Sequence, residues 1–291
     1  MYLLTGSNGF IGSSLIKYLE LNSPSELNKI LILSSNKHSK INTLLYDLKS
    51  YVIPEITDVT SIIHLGAFTP KSNQESNNIE SCTNNIIFTK NLLKSLPPKI
   101  DKFIFISTLD VYKNSKIINE KSLVEPVSLY GWSKLYCEKM IIEWCKEHNA
   151  SYIILRLGHI YGIGEDTYKK IIPESIKKII NDLPPVIYSD GEEIRSFLHV
   201  NDCIRCIWKS LELNCFDQII NIVSGKTITV KQLVNSLIEI SEKKLKPQIL
   251  NYNIDKKDYI FNNSKMIKLF GNEQIDLYQG LKEEYLYFLK K

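Results

Sequence analysis

Short apolar runs alternate with longer amphipathic stretches through the first two-thirds of the chain. Runs such as Phe103-Ile104-Phe105-Ile106 are almost continuously apolar, as strands buried on both faces are. The apolar runs predict strands at Tyr2–Thr5, Lys29–Leu33, Ser61–Leu65, Lys102–Ser107 and Tyr152–Leu157. The amphipathic stretches predict helices at Phe10–Leu21, Asn77–Ser95 and Ser128–His148. This alternation indicates an α/β fold in which helices cover both faces of a parallel sheet.

The pattern changes after about residue 165. A helix predicted over Tyr168–Ile180 ends before Pro184-Pro185, and shorter strands and helices with polar connections follow. We expect residues 1–165 to form the first domain and residues 166–291 to form a smaller α/β subdomain that binds substrate. A segment at about residues 197–223 is expected to return to the first domain.

The composition is that of an ordinary globular protein, with 44% hydrophobic and 23% charged residues among 291. A net charge of +4 and scattered lysines do not indicate a nucleic-acid or membrane surface. The first apolar strand begins at Tyr2, which leaves no room for a signal peptide, and no apolar run is long enough to span a membrane. We therefore expect a cytoplasmic protein whose six cysteines are reduced thiols.

A C-x-x-C motif, Cys203 and Cys206, follows His199 by four residues and raises the question of a metal site. The surrounding run from Asp202 to Leu213 is helical in pattern, and a second pair of ligands is missing. We expect a structural role for these residues and no metal.

A glycine-rich turn joins the first predicted strand to the first predicted helix. Gly6, Gly9 and Gly12 stand where a tight turn, a close diphosphate approach and helix–strand packing each require a missing side chain. The helix N-terminus would offer backbone N–H donors and a positive dipole end to phosphates. The sequence therefore predicts a dinucleotide site here.

The spacing G-x-x-G-x-x-G resembles that of the extended short-chain dehydrogenases/reductases, the NAD-dependent epimerase/dehydratase family that modifies nucleotide sugars. Three further segments resemble the same family. His64-Leu65-Gly66-Ala67 resembles its HLAA strand end, Asn85–Leu93 its N-V-x-G-T-x-N-L-L helix, and Asp47-Leu48 its D-L pair. The series extends from residue 3 to about residue 230. The resemblance implies a Rossmann-type doubly wound parallel sheet and a nicotinamide dinucleotide cofactor.

The resemblance also implies which residues hold the cofactor. They lie in the glycine turn, at the ends of later strands and on two helices: Gly6, Asn8, Gly9, Phe10, Ile11, Gly12, Ser34, Ser35, Asn36, Asp47, Leu48, Leu65, Gly66, Ala67, Asn85, Ser107, Tyr130 and Lys134.

The end of the second strand bears on the choice between NAD and NADP. NAD-using members usually place an Asp there that accepts hydrogen bonds from the ribose 2′-OH, whereas this chain reads Leu33-Ser34-Ser35-Asn36-Lys37-His38. An acid would repel a 2′-phosphate, while Ser, Asn and Lys can donate to one. We therefore expect NADP(H), with NAD(H) as the alternative.

Tyr130 and Lys134 form a Y-x-x-x-K on a predicted helix, so that the phenol and the ammonium lie on one face. A nearby cation favours the phenolate and brings the phenol pKa closer to neutrality, where it can exchange a proton with a substrate hydroxyl. Ser107–Tyr112 resembles the family's S-[ST]-x-x-V-Y-G, in which the second hydroxyl residue contacts the same substrate oxygen as the Tyr. The resemblance thus implies Thr108, Tyr130 and Lys134 as catalytic residues.

Two positions after Thr108 depart from family patterns. The expected Gly after Val-Tyr is Lys113, which leaves the conformation of that loop open. The 4,6-dehydratases typically carry Asp-Glu directly after the Thr, whereas this chain has Leu109-Asp110. Because the first acid is missing, we do not expect dehydration.

The substrate side is implied by resemblance as well. Leu155–Gly164 resembles L-R-x-x-N-V-Y-G-P-G, with His159 where Asn is usual and where the family touches the sugar or its phosphate. Arg195–Asp202 resembles R-D-F-I-H-V-D-D, whose Arg binds the nucleotide diphosphate through its guanidinium fork. Thr108, His159 and Arg195 are therefore the predicted substrate-binding residues.

We expect an NAD(P)-dependent oxidoreductase acting on a nucleotide-diphosphate sugar, in the first place an NADPH-dependent reductase of a 4-keto-6-deoxyhexose nucleotide. An NAD-dependent 4-epimerase would use the same residues but keep its NAD, whereas a reductase exchanges cofactor every turnover. The third hypothesis is a non-enzymatic NADP-binding sensor, although such proteins commonly lose the Tyr or the Lys. Apolar residues on the helix Ser128–His148, namely Tyr136, Met140, Ile141 and Trp144, are compatible with a homodimer or with a buried core.

Overall fold

The structure is a computed structural model that describes residues 1–47, 50, 52–250, 252 and 258–291. Its strands, in chain order, are β1 Tyr2–Thr5, β2 Ile30–Ser34, β3 Thr43–Leu45, β4 Ser61–His64, β5 Lys102–Thr108, β6 Ser151–Leu157, β7 His159–Tyr161, β8 Val186–Ile187, β9 Ile194–Arg195, β10 Phe197–His199, β11 Gln218–Ile222, β12 Ile228–Thr229 and β13 Gln248–Ile249. Its helices are α1 Phe10–Asn22, α2 Ile79–Ser95, α3 Leu129–Glu147, α4 Ile171–Ile180, α5 Val200–Lys209, α6 Val230–Ser241, α7 Ser264–Phe270 and α8 Leu277–Leu289.

A seven-stranded sheet with the order β11-β6-β5-β4-β1-β2-β3 forms the centre of the fold. The pairs from β6 through to β3 are parallel. The strand order reverses direction between β1 and β4, which is the topological switch point where ligands bind in sheets of this kind. The predicted α/β class with a Rossmann-type doubly wound parallel sheet is confirmed.

The chain divides into two compact units. The first comprises Met1–Lys113, Leu123–Leu157 and Ile204–Asn221, and the second comprises Asn114–Ser122, Gly158–Cys203 and Ile222–Lys291. In the first unit, residues of β4, β5 and α3, such as Ile62, Phe103 and Ile141, are fully buried in one apolar cluster. Two-sided burial of these strands explains why their sequences are almost continuously apolar.

The second unit contains three two-stranded pairings, β7 with β10, β8 with β13, and β9 with β12. Its own core joins α4, α6 and α8 through side chains such as Ile176, Leu237 and Leu281. The assignment of this unit to substrate binding stays a prediction.

Two helices begin later than their sequence patterns predict. Residues Asn73–Asn77 form a 3-10 turn, and α2 starts only after Asn78, whose side chain accepts a hydrogen bond from the Ser81 backbone N–H at 2.9 Å. The helix predicted from Tyr168 begins at Ile171, because the Tyr168 N–H closes a turn onto the Glu165 carbonyl at 2.8 Å. A local side chain or turn thus sets each start.

Within the described ranges, no helix has the length and apolar character needed to cross a membrane. Cys203 and Cys206 are buried on α5. No group of three or more His, Cys, Asp or Glu among the described side chains is arranged to hold a metal ion.

Candidate active site

The turns that follow β1 and β4 meet backbone to backbone in the first unit. Gly6 has φ +73°, in the left-handed region, and a Cβ built there would overlap the Gly66 nitrogen and the Leu65 carbonyl carbon. A Cβ on Gly12 would likewise overlap the Gly6 carbonyl oxygen. Both positions require glycine, so the predicted reasons for Gly6 and Gly12 hold in the structure.

A cavity of about 420 Å³ lies over these turns, a size ordinary for a small-molecule site. Eight of the predicted cofactor residues line it: Gly6, Asn8, Gly9, Ser34, Ser35, Gly66, Ala67 and Asn85. Seven lining residues were not singled out from the sequence: Ser7, Leu33, Tyr46, Phe68, Ser81, Asn84 and Phe88. The glycine turns and the start of α1 fit a dinucleotide, since a diphosphate needs close backbone approach and N–H donors.

The other predicted cofactor residues do not line this cavity within the described part of the chain. They are Phe10, Ile11, Gly12, Asn36, Asp47, Leu65, Ser107, Tyr130 and Lys134. The carboxylate of Asp47 accepts a hydrogen bond from the Ser50 N–H at 3.2 Å. Leu48, its predicted neighbour in the site, lies outside the described residues.

The end of β2 carries hydroxyl and amide groups in place of a carboxylate. The Asn8 side-chain amide donates to the Ser34 hydroxyl at 3.1 Å, and the Asn36 backbone N–H donates to the same oxygen at 3.2 Å. Lys40 pairs with Glu20 at 2.9 Å, while Lys37 is exposed. From Leu33 to Lys40 there is no acidic residue, so nothing in this stretch would repel a ribose 2′-phosphate.

Thr108 is the last residue of β5, and its hydroxyl caps the following 3-10 turn by accepting the Asp110 N–H at 3.2 Å. The neighbouring Ser107 hydroxyl is directed into the protein, where it donates to Glu138 at 2.5 Å. Arg156 holds the same carboxylate through two hydrogen bonds, at 2.9 and 2.6 Å. A buried ion pair therefore fixes the strand end that presents Thr108.

Tyr130 and Lys134 lie on the first turns of α3 and are both buried. Ser128 caps this helix by accepting the Gly131 N–H at 3.1 Å. A Cβ on Gly131 would overlap the Asp110 carbonyl oxygen, so the start of α3 is in close contact with the turn after Thr108. The structure thus places the Y-x-x-x-K helix beside the strand end that carries the predicted catalytic hydroxyl.

The Lys134 ammonium makes a buried contact with β5. Its Nζ donates to the Ile106 carbonyl at 2.6 Å and lies 4.2 Å from the centroid of the Phe105 ring. Burial lowers the pKa of Lys134 to about 8, although the thiol of Cys137 and the carboxylate of Glu138 act in the opposite direction. Lys134 is therefore a buried cation that stays mostly charged at neutral pH.

In the second unit, the structure brings His159 and Arg195 to one aromatic ring. The His159 ring lies edge-on to Tyr259 with centroids 5.0 Å apart, and the Arg195 guanidinium stands 5.1 Å from the Tyr259 centroid. Burial, with the charges of Arg195 and Lys170, lowers the pKa of His159 to about 4. The ring is thus neutral at physiological pH, beside an arginine that can bind an anion.

Tyr259 gave no signal in the sequence. It lies in a polar stretch without periodicity. Its backbone N–H donates to the Ile194 carbonyl at 3.0 Å, which holds Tyr259 beside the strand that carries Arg195. His199, expected to be structural, is buried and packs edge-on against Tyr161 with centroids 5.3 Å apart.

Comparison with known proteins places this geometry in context. The model of the NAD dependent epimerase/dehydratase family matches residues 2–222. The dTDP-4-dehydro-6-deoxyglucose reductase of Escherichia coli is 30% identical over 81% of this chain and 80% of its own length. The dTDP-D-glucose 4,6-dehydratase of Dictyostelium discoideum is 29% identical over 82% of this chain, which spans only 62% of that longer protein.

Among solved structures, the UDP-glucuronic acid 4-epimerase of Bacillus cereus, in complex with UDP-glucuronic acid and NAD, has a TM-score of 0.83. It is 26% identical, with 99% of each chain covered. The three relatives carry out three different reactions, so the likeness defines the class of enzyme and leaves the reaction to the site. With its family model matched from β1 to β11, this chain belongs to the NAD dependent epimerase/dehydratase family, a family of enzymes that includes epimerases, dehydratases and reductases of nucleotide sugars.

Proposed function

We propose that this chain is an NADPH-dependent reductase of the 4-keto group of a 6-deoxyhexose linked to a nucleoside diphosphate. The observation that carries the proposal is the end of β2, where Ser34 replaces a ribose-binding acid and Lys37 and His38 follow within a few residues. A site without an acid accommodates the 2′-phosphate of NADP(H). A preference for NADP(H) favours a reaction that consumes reductant over one that recycles a retained NAD.

In the proposed mechanism, the glycine turns after β1 and β4 would hold the dinucleotide, which would supply the hydride that reduces the carbonyl carbon of the sugar. The Tyr130 hydroxyl donates its proton to the carbonyl oxygen as negative charge develops there. The Thr108 hydroxyl donates a hydrogen bond to the same oxygen. Lys134, held in place by the Ile106 carbonyl, would stabilise the phenolate that remains on Tyr130.

Elimination of water is not part of the proposed reaction. Leu109 follows Thr108 directly and is 8% exposed, so that position offers no group able to move a proton. The only acid in the following turn is Asp110, and an elimination needs both an acid and a base. The likeness to the Dictyostelium dehydratase therefore supports the fold and the substrate class, and not its reaction.

For the substrate we propose a nucleotide sugar whose diphosphate is bound by Arg195. The guanidinium stands 5.1 Å from the Tyr259 ring centroid, and one of its nitrogens donates to the Ile194 carbonyl at 3.0 Å. Its planar cation suits a diphosphate. Neutral His159 beside the same ring would donate to or accept from a sugar hydroxyl or a phosphate oxygen. The E. coli and B. cereus relatives, named for dTDP- and UDP-linked substrates, support this class.

A nucleotide-sugar 4-epimerase is the second candidate, favoured by the likeness to the B. cereus enzyme over 99% of both chains. The same tyrosine, lysine and threonine would then remove and return a hydride at C4, with NAD retained throughout. The sensor hypothesis is not continued, because the family and the compared relatives are enzymes.

The two candidates are separated by supplying purified protein with dTDP-4-dehydro-6-deoxyglucose and either NADPH or NADH. The proposal predicts loss of NADPH absorbance in step with formation of a reduced sugar nucleotide, and slower loss of NADH. Interconversion of UDP-glucose and UDP-galactose without added cofactor, together with NAD released on denaturation, would instead establish the epimerase.

We further propose that the protein is a homodimer joined through α2 and α3 of the first unit. Trp132 and Tyr136 of α3 are 52% and 56% exposed, and Ile79 and Ile87 of α2 are also exposed. Trp132 and Tyr136 are four residues apart on one helix face, and exposed large apolar side chains favour association with a second copy. Ile141, included in the stripe read from the sequence, is fully buried and belongs to the core.

A further inference from the structure

A network of buried polar side chains lies next to the two glycine turns of the first unit. Thr5 ends β1 and His64 ends β4, and each has 0% of its surface exposed. The Thr5 hydroxyl oxygen lies 2.7 Å from His64 Nδ1, and His64 Nε2 lies 3.1 Å from the hydroxyl oxygen of Thr89 on α2. Burying such a network costs desolvation free energy unless every polar group in it is hydrogen-bonded.

The hydrogen bonds at the two ends of this network favour one direction of donation through His64. At one end the Gly66 backbone N–H donates to the Thr5 hydroxyl oxygen at 2.9 Å, and at the other the Thr89 hydroxyl donates to the Asn85 carbonyl at 2.9 Å. A Thr5 hydroxyl that donates to Nδ1 leaves Nε2–H to donate to Thr89, whose hydroxyl oxygen also lies 3.3 Å from Cys137 Sγ. This pattern favours the neutral tautomer protonated on Nε2. Burial, with the charge of Lys134, lowers the pKa of His64 to about 3.

The hydrogen-bond network continues from α2 to α3. The Asn85 side chain accepts from the Phe68 N–H at 2.6 Å and donates to the Ser133 hydroxyl at 3.2 Å. Ser133 donates in turn to the Tyr130 carbonyl at 2.8 Å. Hydrogen bonds thus connect the rim of the cofactor cavity, at Gly66 and Phe68, to the first turn of the helix that carries Tyr130.

We propose that His64 and Thr89 are positioning residues that hold the two glycine turns at the separation a nicotinamide dinucleotide requires. The proposal rests on the dinucleotide site described above and goes beyond it, because neither side chain lines the cavity. The clearance between the turns is small, since a Cβ on Gly66 would lie 2.9 Å from the Thr5 hydroxyl oxygen and 3.3 Å from the Gly6 nitrogen. A Thr5 hydroxyl without its histidine acceptor would turn away and release the Gly66 N–H.

The test measures dissociation constants for NADPH and NADH by fluorescence titration, well below the unfolding temperature of each variant. Thr89→Val keeps the shape of the side chain and removes the hydroxyl, whereas Thr89→Ser keeps the hydroxyl. The matched control is Ser151→Ala at the start of β6, where a buried hydroxyl donates to the Asp101 carbonyl at 2.9 Å, outside the cavity lining. His64→Phe keeps an aromatic ring among its aromatic neighbours and removes both hydrogen bonds.

We expect Thr89→Val and His64→Phe to weaken binding of the preferred nucleotide by about 3- to 10-fold, the effect of one or two lost hydrogen bonds. Thr89→Ser and Ser151→Ala should stay within about twofold of the native protein. In ¹⁵N-labelled native protein, which has five histidines, the ring signals absent from His64→Phe should show protonation on Nε2 alone at neutral pH.

Native-like affinity in Thr89→Val would overturn the positioning role, as would equal weakening in Ser151→Ala or His64 signals protonated on Nδ1. Should His64→Phe fail to fold, the Thr89→Val and Thr89→Ser pair decides the question. If the native protein binds neither nucleotide, the dinucleotide site and the positioning role are both wrong. If the native protein binds and Thr89→Val binds equally well, only the positioning role is wrong.

Discussion

Replacing Lys134 by Met should greatly reduce turnover while leaving the fold at least as stable as the native one. Lys134 is 3% exposed, and burial lowers the pKa of its ammonium from 10.5 to about 8, so keeping it charged costs free energy. At about 1.4 kcal/mol per pKa unit, the charged form loses about 3 kcal/mol on folding. A lysine that served stability alone would not be kept charged at this depth.

Lys134→Met removes this cost, but it also removes the hydrogen bond to the Ile106 carbonyl. The loss of that bond offsets about 1.5–3 kcal/mol of the stability gained. The expected change in unfolding free energy at pH 7 is therefore between zero and about +2 kcal/mol. Turnover should fall by about 10²- to 10⁴-fold, the usual contribution of an acid–base group and its electrostatic support.

Denaturant unfolding of both proteins as a function of pH measures the stability difference directly. The folded pKa of Lys134 lies below the unfolded value, so its contribution is complete above the unfolded pKa and is lost as pH falls through about 8. Between about pH 8 and 10.5 the native protein should gain about 1.4 kcal/mol per pH unit relative to Lys134→Met. A variant destabilised by more than about 2 kcal/mol at pH 7, or one that retains turnover, would refute this reasoning.

Four further perturbations test other parts of the account. Tyr130→Phe should reduce turnover by about 10²- to 10⁴-fold, and full activity would contradict its role as the acid. Ser34→Asp should weaken NADPH binding by about 10-fold or more by repulsion and spare NADH; equal effects on both in a titration would remove the NADP proposal. Glu284 is buried, and burial with repulsion from Glu165 raises its pKa to about 9, while burial raises the pKa of Glu165 to about 7. Because the folded pKa is raised, stability that is present at acid pH is lost as pH rises. The free energy of unfolding of Glu284→Gln should therefore be about 2 kcal/mol higher than that of the native protein at pH 7, and should depend less on pH. An unchanged denaturation profile would show that the carboxyl is not buried as described. Tyr136→Asp should give a monomer mass in light scattering, and a dimer in this variant would place the interface elsewhere.

The features predicted from sequence are those encoded by neighbouring residues. The glycine turn follows from the spacing of Gly6, Gly9 and Gly12, and the shared face of Tyr130 and Lys134 follows from helical periodicity. Both depend on local geometry alone, so no knowledge of the rest of the fold was needed to find them.

The features that were missed depend on pairing between distant segments. Thr5 faces His64 only because β1 and β4 pair in that register, although 59 residues separate them in the chain. Tyr259 contacts His159 from 100 residues further along the chain, and it lies in a stretch with no periodic pattern. The buried or exposed state of Ile141 was also beyond the sequence, because α3 carries apolar residues on both its inner and outer faces.

The most direct test of the proposed reaction follows the hydride itself. Purified protein is incubated with dTDP-4-dehydro-6-deoxyglucose and NADPH that carries deuterium at the transferable position, and the sugar nucleotide is analysed by mass spectrometry. A reductase gives a product heavier by a single deuterium at C4, with equal amounts of NADPH oxidised. An unlabelled sugar nucleotide with NADPH intact, together with interconversion of UDP-glucose and UDP-galactose by the protein as purified, would contradict the proposal and establish the epimerase.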